Sequence, residues 1–184
     1  SALHEKWRRE HDEEARAGVL AALDSMRSAY HYGRVALVDG EGQQLLTTGE
    51  SFVPGPILMD AVRRALKGGQ VVETSFYRDV ASRLSDPVHL DFVVPMATRP
   101  GVPPLVLVLQ VDPARSLFGY LNTWPVPSRT AETLLFRRDG NDLLFISPLR
   151  HRPGPPLSER IPLSRRDLFS VMLAEHPERV GRAF

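Results

Sequence analysis

Two stretches a hundred positions apart are written to the same plan. Val35–Leu46 reads VALVDGEGQQLL and Thr133–Leu149 reads TLLFRRDGNDLLFISPL. Each is an apolar run, a polar turn opened by Asp-Gly, and a second apolar run. Asp-Gly between apolar segments is a strong short-range hairpin signal, because the turn needs residues that tolerate positive φ. An isolated two-stranded hairpin is at best marginal in water, so each needs further strands or a helix against its apolar face. Two hairpins a domain's length apart therefore point to two modules, the second a copy of the first.

The residues after the first hairpin supply its partners. Pro56–Lys67 reads as an amphipathic helix with Ile57, Leu58, Ala61, Val62, Ala65 and Leu66 inward, stopped by Gly68-Gly69. Three strand candidates follow, Val71–Arg78, Val88–Met96 and Leu105–Asp112. In the last, LVLVLQV is apolar on both faces, as a central strand covered on each side should be. The middle one alternates: Val88, Leu90, Phe92 and Val94 share one face, His89, Asp91 and Val93 the other. Upstream, Leu3–Tyr32 lacks proline and reads as one long helix. Its second half carries an apolar stripe of Val19, Leu20, Leu23, Met26 and Tyr30. Its first half is charged nearly all round, with Glu5–Arg9 and Asp12–Arg16 as acid-first i,i+4 pairs. A helix polar on every face is solvated, paired with a second copy, or continuous with something upstream.

The expected fold is therefore α+β. Residues 1–112 form a five-stranded, mostly antiparallel sheet with a long N-terminal helix along one face. Residues 113–184 form an incomplete second module of helix (Pro113–Leu121), hairpin and helix (Leu163–Glu175), which stops before its last three strands. The 184 residues suit one ordinary domain or two small ones, and a net charge of +1 implies no strong field for nucleic acid. With no cysteine there are no disulfides or thiolate metal sites, and no apolar run is long enough to span a bilayer.

The order long helix, hairpin, helix, three strands, then a partial repeat resembles the double Cache domain, the PAS-like extracytoplasmic sensor of bacterial membrane receptors. More specifically, DFVVPM and the run VLVLQVDPARSLFGYLNTWPVPSRTAETLLFRRDGNDLLFISPLRHRP are similar to the sensor regions of transmembrane histidine kinases and diguanylate cyclases. The likeness is densest over Asp91–Pro153, and WPVPS with AETLLFRRDG is its most specific part. The resemblance implies a periplasmic portion of an inner-membrane protein, whose flanking spans lie outside this chain. It implies a small-molecule ligand on the first sheet, with the N-terminal helix as transmitter and dimer contact. In such receptors a further stretch completes the second sheet, and it is missing here.

No catalytic constellation is written in the chain. Gly-x-Ser-x-Gly, His-Glu-x-x-His and a phosphate-cradling glycine loop before a helix are all absent. Gly40-Glu41-Gly42 sits in a hairpin turn, where its glycines serve positive φ rather than phosphate, and Asp39 and Asp139 read as turn residues. His4 and His11 lie on one helix face with too few companions for a metal, and His151 lies in a Pro-rich loop. The expectation is a binding module with no cofactor and no metal. Candidate ligand-binding residues are Tyr77, Arg78, Arg83, His89 and Asp91: a polar half-face of the sheet, with Arg83 from the covering loop DVASRLSDP. Plain alternation pairs Ser75 with Tyr77 on one face, and Phe76 with Arg78 on the other. An arginine there would favour a carboxylate, hence an organic acid. The plainer alternative is an ordinary solvated sheet face with surface ion pairs. Two rival readings remain: a ligand-free dimerisation or protein-interaction module, and a soluble enzyme of PAS-like shape.

Overall fold

The computed structural model describes residues 13–49, 52–78, 87–97, 101–121, 132–152 and 154–176. The chain divides into two compact units, residues 1–81 with 89–113, and residues 82–88 with 114–184.

In the first unit the order is α1 (Glu13–Tyr30), β1 (Arg34–Asp39), β2 (Gln44–Thr48), α2 (Pro56–Gly68), β3 (Val72–Glu73), β4 (Leu90–Met96) and β5 (Leu105–Val111). The strands form one antiparallel sheet in the order β2-β1-β5-β4-β3. This is the expected α+β architecture, a five-stranded antiparallel sheet with an N-terminal helix. The run LVLVLQV is indeed the central strand, hydrogen-bonded to β1 on one side and β4 on the other.

Each face of the sheet has its own cover. Val19 and Leu23 of α1 pack on Val35, Leu37 and Leu46, with Leu20, Met26, Met96, Leu107 and Leu109 around them. On the opposite face, Leu58, Ala61, Val62 and Ala65 of α2 pack on Ala36, Val38, Val93, Val106 and Val108. The inward stripes are narrower than expected, since Tyr30 and Ile57 are exposed. The expected pairs Glu5–Arg9 and Asp12–Arg16, and the helix expected before Glu13, involve residues outside the described ones; Arg16 lies 3.9 Å from Glu13.

Local chemistry fixes the ends of α2. Pro56 opens it, where a missing N–H costs nothing, and Gly69 closes it in the left-handed region (φ 62°), donating its N–H to the Ala65 carbonyl at 2.8 Å. At the first hairpin turn the Asp39 carboxylate accepts the N–H groups of Glu41 and Gln43 at 3.0 and 2.8 Å. Of the two glycines there, only Gly42 takes positive φ (90°). A Cβ on Gly40 would lie 3.4 Å from both Leu66 and Pro104, at ordinary contact distance.

The third strand departs from the expected Val71–Arg78. Regular pairing covers only Val72–Glu73, followed by a lone bridge between Tyr77 and His89. The Thr74 N–H donates to the Asp91 carbonyl, whereas Tyr77 and His89 exchange both backbone bonds at 3.0 and 2.8 Å. Three steps along one strand thus match two along the other, which is a β-bulge.

The second unit contains a helical turn, α3 (Ala114–Leu121, its first part π-wound), the hairpin β6 (Phe136–Asp139) and β7 (Asp142–Phe145), β8 (Arg160–Pro162), and α4 (Phe169–Glu175). The sheet order is β6-β7-β8. The expected helix over Leu163–Glu175 is confined to its last seven residues. The extra strand was not anticipated: Arg160-Ile161-Pro162 lies past a Pro-rich stretch that reads as connection. It gives the second hairpin a third partner, and Arg160 reaches Asp139 at 2.6 Å and Asp142 at 3.8 Å. Leu143, Phe145 and Val171 form this unit's core, with Phe136, Ile161 and Leu168 against them.

Candidate functional site

The α2-facing side of the first sheet changes character partway along its strands. Ala36, Val93, Val106 and Val108 make its apolar half. One step further on, register sets Arg34 beside Gln110 and Gln110 beside Asp91, and Thr74 pairs with Asp91 on the far side. Directly paired residues project to the same face. A row of four polar side chains therefore crosses the sheet over β1, β5, β4 and the continuation of β3. All four are buried: Arg34 is 8% exposed, Gln110 6%, Asp91 0% and Thr74 3%.

Burying polar and ionisable groups is costly unless they find partners, and Thr74, Asp91 and Tyr77 find one another. The Asp91 carboxylate accepts a short hydrogen bond from the Tyr77 hydroxyl. The Asp91 N–H donates to Thr74 Oγ1 at 2.9 Å. The Tyr77 ring meets the His89 ring edge-on, with centroids 5.9 Å apart. At the other end, the Arg34 guanidinium lies over the ring of Phe52, 4.0 Å from its centroid. Phe52 lies just before α2 and is tethered by its N–H to Gln44 Oε1 at 3.2 Å.

The five residues singled out by sequence fare differently. Tyr77, His89 and Asp91 come together as a contiguous cluster on the face opposite α1. The bulge changes which neighbour accompanies Tyr77: Thr74, not Ser75, shares its face, and Ser75 is exposed. Arg78 is half-buried and lies beyond the lone Tyr77–His89 bridge, outside the paired strands. Arg83 lies outside the described residues. Sequence reasoning missed Arg34, Gln110, Thr74 and Phe52. A signal existed for Gln110, the only polar residue in LVLVLQV; Arg34, following His31-Tyr32-Gly33, offered none.

Among the described residues no group of His, Cys, Asp and Glu could hold a metal ion, and no helix is long and apolar enough to cross a membrane. The second unit carries an open depression of about 620 Å³ between the hairpin and α4, lined by Arg138, Asn141, Asp142, Ser164, Arg166 and Glu175. Of its charges, Arg166 lies 3.4 Å from Glu175, Asp142 lies 3.8 Å from Arg160 and Arg138 donates to the Gly140 carbonyl; among the described residues no buried polar side chain lines it.

No protein-family model matches the chain, and no curated protein matches it. Among solved structures, it is similar to an extracellular domain ascribed to a histidine kinase, at TM-score 0.48 and 16% identity over 85% of this chain and 77% of that one. It is also similar to a domain ascribed to a sensory box/GGDEF family protein from Vibrio parahaemolyticus. That match has TM-score 0.47 and 15% identity over 85% of this chain and 81% of that one.

Proposed function

We propose that this chain is the extracytoplasmic ligand-sensing region of a membrane receptor of the histidine kinase or diguanylate cyclase kind. It acts by binding rather than by chemistry. One observation carries the reading: a row of four polar and ionisable side chains is buried across β1, β5, β4 and the continuation of β3, on the sheet face that α1 leaves to α2. A purely structural sheet would be as stable or more so with apolar residues there, and local departures from the apolar pattern concentrate at functional sites. The ligand is a small molecule recognised by a few directional groups, Tyr77, His89 and Asp91 at the β4 end, with Arg78 and Arg83 as further candidates.

Signalling follows from the two-sided construction. The ligand occupies one face of the sheet while α1 packs on the other. A ligand that prefers one arrangement of sheet and helix shifts the population toward it; a ligand without that preference transmits nothing. A second copy pairs through the N-terminal helix, whose charged first half is suited to solvent and to a like partner rather than to a core.

Thermal-shift screening of the purified chain against a broad set of metabolites tests the reading. A compound at a hundred times its dissociation constant should stabilise the folded state by about 2.7 kcal/mol. Asp91→Asn should remove that shift. If no compound in a broad library moves the transition, the ligand-free interaction module is the better reading. Turnover of any compound would favour an enzyme.

A further inference from the structure

We propose that the residue selecting an acidic ligand in this site is Arg34, on the first strand, and that Phe52 couples it to α2. The inference rests on the sensing role above and deepens it. Arg34 is in the same register row as Gln110 and Asp91, on the same face as the Tyr77–Asp91 contact. Strands in a sheet are spaced by about 4.8 Å, so Arg34 and Asp91 start from backbone points roughly 10 Å apart, within reach of one small ligand. Arg78 belongs to the sequence-derived set but lies past the bulge, outside that register row. Of these two arginines, only Arg34 belongs to the polar row.

The contact with Phe52 makes Arg34 suited to this task. A guanidinium is planar and its N–H donors lie in the plane, so an aromatic ring on its face fixes that plane without covering the donor edge. A fork held in a set orientation loses less freedom when it takes a carboxylate with two parallel bonds, and Lys cannot reproduce that geometry. Phe52 is also the mechanical link. It packs against the core cluster under α2, and only Val53, Pro54 and Gly55 separate it from the first residue of that helix. Val53 is 88% exposed, so this short strap has room to adjust. A carboxylate that draws the Arg34 fork toward it, with its plane kept, therefore draws along the ring stacked on it, and the strap carries that shift to the start of α2.

The test uses the purified chain and a panel of acetate, lactate, succinate and glutarate, each beside its uncharged amide, first by thermal shift and then by titration calorimetry on the best acid. Acids should raise the melting temperature and their amides should not. Arg34→Met should weaken the best acid about thirtyfold or more, Arg34→Lys about tenfold, and Arg78→Met less than threefold. Phe52→Leu should weaken binding severalfold and abolish the acid-induced change in amide-exchange protection at residues 56–60. If circular dichroism shows Arg34→Met unfolded, Arg34→Lys decides. Wild-type affinity in the arginine variants, with loss in Asp91→Asn or Arg78→Met, overturns the assignment to Arg34 and leaves the sensing role standing. No response to any metabolite or acid overturns both.

Discussion

The Tyr77–Asp91 contact makes a prediction at the scale of one atom. Tyr77→Phe deletes the hydroxyl and its hydrogen bond to the buried Asp91 carboxyl group but keeps the ring against His89. Removing one partner from a buried polar group costs about 1–3 kcal/mol, which urea denaturation should show as a lower midpoint with an unchanged slope. A second residue-scale prediction concerns the exposed turn before α4, where Arg165 donates to both carboxylate oxygens of Asp167 at 2.9 Å. These bonds hold the Asp167 carboxyl below its ordinary range, chiefly through the Arg165 hydrogen bond. Because the folded value is depressed, the turn gains from this pair above the ordinary carboxylate range and loses it as pH falls through the lowered value. An NMR titration should place the Asp167 midpoint below about 3.9, and Arg165→Gln should return it there. Legibility divides at this scale. Asp91 and His89 could be placed opposite the α1 stripe by counting alternate residues. Tyr77 could not be matched to Thr74, because the bulge between them depends on pairing with a strand that lies more than ten residues away in sequence. Arg34 was hidden for a related reason: only the β1–β5 register shows that it completes a row.

Elements were read more surely than their edges. The strongly periodic segments α2 and β5 formed where their patterns placed them, since apolar burial drives both. In β4 the apolar stripe of Leu90, Phe92 and Val94 is only half-buried, and the buried positions are Asp91 and Val93. The short, irregular segments did not form as their patterns placed them. β3 shrank to two paired residues, the last helix lost its first turns, and β8 arose from a tripeptide with no strand signature, recruited only by the open edge of β7. The join between hairpin and helix provides the test at this scale. Gly42 has φ of 90°, and a Cβ built on it would lie 2.4 Å from Met59 Sδ on α2. Gly42→Ala should therefore cost more than about 1 kcal/mol, in part from the backbone and in part from displacing Met59. Met59→Ala should relieve only the second part. A double-mutant cycle by thermal denaturation should give a coupling of about 0.5–3 kcal/mol, and additivity would show that the turn does not lean on the helix.

For the molecule as a whole, the strand order has a consequence in time. The centre of the first sheet is the last strand to be made: β5 (Leu105–Val111) slots between β1, some seventy residues earlier, and β4. Until residue 111 leaves the ribosome, two strands that end as inner neighbours are raw borders, and α2 has only part of its floor. Closing a loop of that length costs entropy before any contact rewards it, so assembly is expected to be all-or-none and comparatively slow. A fragment ending at residue 97 should show no cooperative melting transition by circular dichroism, although it holds four of the five strands. Adding a synthetic peptide of residues 101–113 should restore one. The sheet behaves as an arch whose keystone is delivered last, and its builder must shelter two unfinished flanks while waiting for it.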